Sequence, residues 1–258
     1  DCLTTLRALP AGVARCCVTS PPYWGLRDYG VEGQLGLEPT PDAYVARLVE
    51  VFREVRRVLT DDGTLWLNLG DSYNSASQNN HGKGGELAHR HLAPKYGWAG
   101  HRALVPGLKT KDLVGIPWRM AFALQADGWY LRSDIIWSKP NPMPESVRDR
   151  PTKAHEYVFL LSKRERYYYD AAAIAEPDKG MDHPRNVLHR PEPSGGLMSP
   201  HAGIRKAEGR NGLGRNARSV WSIATQPYHE AHFATFPEEL PSRCIRAGSA
   251  PGDVVLNP

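Results

Sequence analysis

The stretch from Thr40 to Leu69 constrains the fold of this chain more than any other. Thr40 can cap a helix, Pro41 suits its first position, and Val45, Leu48, Val49, Phe52, Val55 and Leu59 recur at helical spacing. Asp61-Asp62-Gly63 reads as the turn that ends this helix. Thr64 to Leu69 then reads as a buried strand, finishing at Gly70-Asp71-Ser72. The amino-terminal residues follow the same order, a short helix from Thr4 to Leu9 and a strand from Arg15 to Thr19. Helix followed by buried strand, twice over, is the rhythm of an α/β layer built on parallel strands.

Further elements follow the same logic. A helix is expected from about Ile116 to Ala126, with Pro117 in its first turn, and strands at Trp129 to Trp137 and Glu156 to Ser162. Ser219 to Ile223 reads as a strand, Pro237 to Ala247 as a helix, and Asp253 to Leu256 as a last buried strand. Between them, residues 73 to 110 lose periodicity and are expected to form a mobile surface excursion. Its histidines (His81, His89, His91, His101) lack tight ligand spacing and accompanying carboxylates, so no metal is expected.

Composition excludes several classes. No apolar run reaches the roughly 20 residues that span a bilayer, and no signal segment opens the sequence, so a cytoplasmic protein is expected. The four cysteines include no C-x-x-C pair, and Cys16 and Cys17 adjoin in a buried strand, which argues for reduced thiols. The net charge is only +4, yet Lys179 to Arg218 holds eight Lys or Arg against three acids. A near-neutral body with one basic, Gly- and Pro-rich segment is the pattern of a polyanion-facing element.

The strand ending at Thr19 runs into Ser20-Pro21-Pro22-Tyr23. Two prolines fix φ and remove two backbone donors, leaving a stiff corner with a hydroxyl, carbonyl acceptors and an aromatic ring. Such a corner suits a planar group bearing an amino substituent, with the acceptors on the NH2 and the ring against its face. Trp24 and Gly25 to Gly30 are expected to shape the mouth of that pocket.

At this point the residues resemble a family, the amino-group DNA methyltransferases of the permuted kind, whose catalytic motif precedes the cofactor motif. Ser20-Pro21-Pro22-Tyr23 matches the catalytic (Asp/Asn/Ser)-Pro-Pro-(Tyr/Phe) motif. Trp137-Ser138-Lys139-Pro140-Asn141, His155-Glu156-Tyr157-Val158 and His232 to Leu240 continue the likeness in the family's order.

The resemblance implies a Rossmann-like S-adenosylmethionine-dependent methyltransferase fold. That fold has a mixed seven-stranded sheet, helices on both faces and a small irregular target-recognition region. It divides the chain into a catalytic core (1–169), a basic target-recognition segment (170–218) and a return to the core (219–258). Asp1, Cys2, Thr235, Phe236, Pro237, Asn257 and Pro258 are its expected cofactor-binding residues. The family's last strand normally enters an Asp-Pro-Phe-x-Gly-x-Gly loop, and here Asn257 stands at the Asp position with Pro258 after it. Both ends of the sequence thus fall beside the expected cofactor pocket, as in a form lacking part of the native protein, with weak cofactor binding one expectation.

The implied chemistry is methyl transfer to the exocyclic amine of a base flipped out of double-stranded DNA, with Ser20, Pro21, Pro22 and Tyr23 as the catalytic corner. Lys139, Arg148, Arg150, Lys153, Arg205, Lys206, Arg210, Arg215 and Arg218 are the expected DNA contacts. Ser at the first motif position points to cytosine N4 over adenine N6, where Asp is commoner. Carbon-5 chemistry is disfavoured, because no cysteine follows a proline in the corner. A protein glutamine or an RNA base as acceptor, and a non-catalytic DNA-binding protein on a degenerate methyltransferase fold, remain competing readings. Monomer and homodimer are both open.

Overall fold

In the computed structural model, which describes residues 1–74, 104–177, 214–226 and 235–258, the chain divides into two compact units. The larger comprises Asp1–Tyr169 and Arg218–Pro258, and the smaller Asp170–Ala217.

The larger unit is built on one sheet. Its elements, in chain order, are α1 (Cys2–Ala8), β1 (Ala14–Thr19), α2 (Pro41–Val58), β2 (Leu59–Leu69), α3 (Ile116–Ala126), β3 (Tyr130–Ser138), β4 (His155–Ser162), β5 (Val220–Ser222), α4 (Glu239–Gly248) and β6 (Val255–Leu256). Spatially the strands run β5-β3-β4-β2-β1-β6. The pairs β1–β2, β1–β6 and β3–β5 are parallel, while β4 is antiparallel to both β2 and β3. The sheet is therefore mixed, and six strands, not the expected seven, occur among the described residues.

Strand alternation gives the sheet two different faces. Cys17, Leu65, Leu67, Leu69, Phe159 and Leu161 pack with α2 and α3 residues such as Leu48, Phe52, Met120 and Leu124. The opposite face carries Cys16, Trp66, Asn68 and Leu160, and α4 packs on its Cys16 and Trp66 part. That helix comes close because residue 248 is glycine. A Cβ there would lie 2.8 Å from Cys16 Sγ, Thr64 Oγ1 and Trp66 Nε1.

Local chemistry sets most boundaries. The Thr40 hydroxyl accepts from the Ala43 amide (3.1 Å) with Pro41 in the first turn, so α2 begins where its residues dictate. Arg57 near its end donates to the carbonyls of Leu6 (2.7 Å) and Leu9 (2.9 Å), satisfying the free end of α1. The boundary after α2 departs from expectation. Asp61-Asp62-Gly63 does not separate helix from strand, because β2 begins at Leu59 and runs through it. The register moves from Ala14 opposite Leu59 to Cys16 opposite Thr64, so the extra residues bulge out of the ladder. Arg15 pairs with Asp62 there, and Thr60 Oγ1 donates to the same carboxylate (2.9 Å), which stabilises the bulge.

Residues 75–103 of the expected excursion, with their histidines, lie outside the described residues. Its described flanks are joined at buried Asn74, whose side chain donates to the Leu108 and Lys109 carbonyls and accepts from the Val105 amide (2.9 Å). In the smaller unit, Glu176 and Arg215 exchange backbone hydrogen bonds (2.9 Å each) and pair through their side chains (2.8 Å). No described helix is long and apolar enough to cross a membrane.

Candidate active site

The parallel strands β1 and β2 end close together, Thr19 lying opposite Leu67 and β2 running on to Leu69. The crevice beyond such carboxyl ends is where open α/β sheets bind ligands. The corner Ser20 to Tyr23 stands there. Pro21 is buried and the other three are half-buried. The Tyr44 hydroxyl donates to the Pro22 carbonyl (2.8 Å), fixing the corner from α2. None of the described residues donates to the Pro21 carbonyl, which keeps its acceptor capacity.

Tyr23 lies over the end of β2. A Cβ on Gly70 would stand 2.5 Å from Tyr23 Cε2 and 3.0 Å from Cδ2, so the ring sits in space that only glycine leaves open. Its hydroxyl meets three groups: Glu156 Oε2 at 2.6 Å, Asn68 Oδ1 at 3.1 Å, and Ser20 Oγ, which donates to it across 3.4 Å. Burial, reinforced by the neighbouring Glu156 carboxylate, pushes the Tyr23 hydroxyl well above the ordinary phenol range. It is a neutral donor at any working pH.

Glu156 is itself held on three sides. Asn68 Nδ2 donates to it (3.1 Å) and to the Tyr157 carbonyl (3.1 Å), while Lys139 Nζ pairs with its other oxygen at 2.5 Å. Lys139 also lies 4.3 Å from the centre of the Trp137 ring. Trp137 in turn donates to the Ile223 carbonyl (2.8 Å), and Asn141 accepts from the Thr225 amide (2.9 Å). The Trp-Ser-Lys-Pro-Asn stretch therefore fastens β3 to the β5 region and delivers one ammonium to the corner.

Several residues expected at the DNA have protein partners in this structure. Lys139 is one of them. Its side chain is 18% exposed and neutralised by Glu156. Arg150 pairs with Glu145 (2.7 Å) and stacks on Tyr73, and that hydrogen bond holds the Glu145 carboxyl below its usual range. Lys153 donates to the Asp71 carbonyl (3.2 Å), and its burial lowers its affinity for a proton. Arg215 is paired with Glu176. Arg148 and Arg218 are exposed. Arg205, Lys206 and Arg210 lie outside the described residues, as do His232 to Ala234. Trp24 does not line an open mouth, because it is buried with Nε1 donating to the Glu38 carbonyl (2.8 Å).

The expected cofactor residues lie just after β6, at the start of α1 and just before α4. Asn257 and Pro258 directly follow β6, whose Leu256 is level with Cys17. The Asp1 carboxylate caps α1, accepting from the Leu3 amide (3.2 Å) and the Thr4 hydroxyl (3.1 Å), with half-buried Cys2 behind it. Thr235 is exposed, Phe236 half-buried and Pro237 buried. Among the described residues no cluster of His, Cys, Asp or Glu could hold a metal ion.

The sequence model of an N6/N4-type DNA methylase family matches residues 14–258. The chain belongs to that DNA methylase family. Two relatives extend the match along the whole chain. The Type II methyltransferase M.XycI of Xanthomonas campestris pv. cyanopsidis is 51% identical over 258 residues, covering 100% of this chain and 74% of the relative. M.Cfr9I of Citrobacter freundii is 50% identical with the same coverage. Among solved structures, the methylase superposes on the PvuII DNA methyltransferase (cytosine-N4-specific) with a TM-score of 0.61 at 17% identity, covering 100% of this chain and 71% of that one. It also superposes on TTHA0409 of Thermus thermophilus, solved with S-adenosyl-L-methionine, with a TM-score of 0.54 at 21% identity, covering 100% and 76%. The DNA methylase thus has the α/β methyltransferase fold that its motifs implied, with helices on both faces of its sheet.

Of the residues at the corner, sequence reasoning missed the roles of Glu156, Asn68 and Gly70. The signal for Glu156 was its place in the His-Glu-Tyr-Val motif, but nothing in that motif names Tyr23 as its partner.

Proposed function

We propose that this DNA methylase transfers the methyl group of S-adenosylmethionine to the exocyclic N4 of a cytosine flipped out of double-stranded DNA. The observation that carries the reading is the acceptor pair at the corner, the Ser20 hydroxyl oxygen and the Pro21 carbonyl, fixed by Tyr44 from below and Tyr23 from beside.

An exocyclic amine is a poor nucleophile because its lone pair is delocalised into the ring. Two acceptors on its hydrogens favour a more tetrahedral nitrogen, freeing the lone pair for in-line attack. Here they are positioned before the base arrives, so little reorganisation is left to the reaction itself. The Tyr23 ring, held against Gly70, offers its remaining face to the base.

When bound, S-adenosylmethionine supplies a methyl group on a positively charged sulfur. The expected cofactor residues carry chemistry that suits such a group. The Asp1 carboxylate and Asn257 amide suit its hydroxyl and ammonium groups, and Cys2, Phe236 and Pro237 offer apolar surface for the adenine. Thr235 and Pro258 complete the set. Duplex phosphates are met by exposed Arg148 and Arg218 and by Arg205, Lys206 and Arg210 of the basic target-recognition segment. Lys139, Arg150, Lys153 and Arg215 are the remaining basic residues of the expected contact set.

Cytosine is favoured over adenine by Ser20 at the motif position where the family's adenine enzymes more often carry Asp. Nucleoside mass spectrometry of DNA incubated with the protein and S-adenosylmethionine tests this. N4-methylcytosine is expected. N6-methyladenine would transfer the assignment to adenine, and no methylated base would overturn methyl transfer altogether.

A further inference from the structure

We infer that Glu156 is a positioning residue for the methyl transfer, acting through Tyr23 to turn the Ser20 hydroxyl oxygen into an oriented acceptor. The inference rests on the catalytic corner proposed above and extends it to a residue on β4, 133 positions away from Tyr23 in the chain.

The argument is a proton count. The Tyr23 hydroxyl has one proton and three oxygen neighbours, Glu156 Oε2 at 2.6 Å, Asn68 Oδ1 at 3.1 Å and Ser20 Oγ at 3.4 Å. The carboxylate is the nearest and strongest acceptor, and it takes that proton. Asn68 offers Tyr23 only an oxygen, since its two N–H groups are directed to Glu156 and to the Tyr157 carbonyl. That neutral amide oxygen, at 3.1 Å, is a weaker acceptor than the carboxylate. The Tyr23 oxygen is then free to accept, and the donor that faces it is the Ser20 hydroxyl. With its proton turned toward Tyr23, Ser20 Oγ presents lone pairs away from the corner, which the amino group of a flipped base requires.

Tyr23, Asn68 and Lys139 all donate to Glu156, and Lys139 balances its charge. The ion pair is largely shielded, with side chains 16% and 18% exposed. Shielded pairs of this kind contribute little net stability, and a hydrophobic pair of similar size often does as well. Its geometry, with one oxygen aimed at Tyr23, is accounted for by orientation of the corner.

The test compares Glu156→Gln, Tyr23→Phe and the double variant for kcat and for KM toward DNA and S-adenosylmethionine. Each single change is expected to lower kcat by about 10- to 100-fold with KM little altered, as for loss of a geometric constraint. The double variant is expected to be no slower than the worse single one, because both break the same chain of bonds. A merely structural Glu156 would instead give losses that multiply, and that result, or wild-type kcat in Glu156→Gln, overturns the inference. If Glu156→Gln does not fold, Tyr23→Phe decides alone, since it keeps the ring on Gly70 and removes only the hydroxyl. Its full activity is equally fatal. A wild-type protein that methylates no base overturns the catalytic reading and this inference with it. Methylation that is indifferent to Glu156 overturns the inference alone.

Discussion

At the scale of single residues, the corner depends on what is missing as much as on what is present. Gly70→Ala would place a methyl 2.5 Å from Tyr23 Cε2. The ring must move, and the 2.6 Å bond from its hydroxyl to Glu156 goes with it. Turnover is expected to fall by about 100-fold, the usual consequence of a displacement near 1 Å at a reacting centre. Thermal stability should change by only a few degrees, because Gly70 is half-buried at a strand end. Steady-state kinetics beside a thermal melt separates the two, and unchanged kcat would mean that Tyr23 does not need its present place. Ser20→Ala removes the acceptor without touching the packing. It should reduce kcat while leaving the melting temperature where it was. A Ser20→Ala protein at full rate would remove the hydroxyl from the mechanism.

At the scale of elements, caps and close approaches set the costs. Thr40→Ala deletes the hydroxyl that accepts from the Ala43 amide and should destabilise the protein by about 1 kcal/mol. Gly248→Ala should cost more, roughly 1–3 kcal/mol, because the new methyl meets Cys16, Thr64 and Trp66 at once and α4 must lift off the sheet. Urea unfolding of the two variants gives both values, and a harmless Gly248→Ala would contradict the packing of α4. The same elements show how far the chain can be read in advance. Helix α2 was legible because Thr40, Pro41 and the apolar spacing all act within a few residues of one another. The start of β2 was not. Asp61-Asp62-Gly63 has the local chemistry of a turn, but Arg15, from a different strand, binds Asp62 and lets the ladder absorb the residues as a bulge. The Ser-Pro-Pro-Tyr corner was legible because proline fixes its own backbone. The partners of Glu156 were not, since they lie 17, 88 and 133 residues away and only the sheet brings them together.

At the scale of the whole molecule, three thiols tie stability to pH. Cys16 faces α4, Cys17 faces the core under α2, and Cys244 lies buried in α4 itself, so no local opening exposes all three. Burial pushes the Cys16 thiol from its ordinary 9.0 up to about 12, and it raises Cys17 and Cys244 well above that ordinary value. Burial likewise raises the hydroxyls of Tyr23 and Tyr44. Below the ordinary thiol range these groups are protonated in both folded and unfolded chains, and their contribution to stability is complete. Above it, the unfolded chain releases protons that the folded one retains, and stability is lost as pH climbs toward the folded value. Each thiol should cost up to about 1.4 kcal/mol per pH unit in that window. Urea midpoints measured from neutral to strongly alkaline pH should therefore stay level and then fall steeply above about pH 9. Cys17→Ala should start from a lower midpoint, because it leaves a cavity, yet decline less steeply, because one ionisation is gone. A flat profile through the alkaline range, or identical slopes in the two proteins, would show that the thiols do not govern it. A native-state thiol reagent offers an independent check, since of the four cysteines only half-buried Cys2 should react before the protein unfolds.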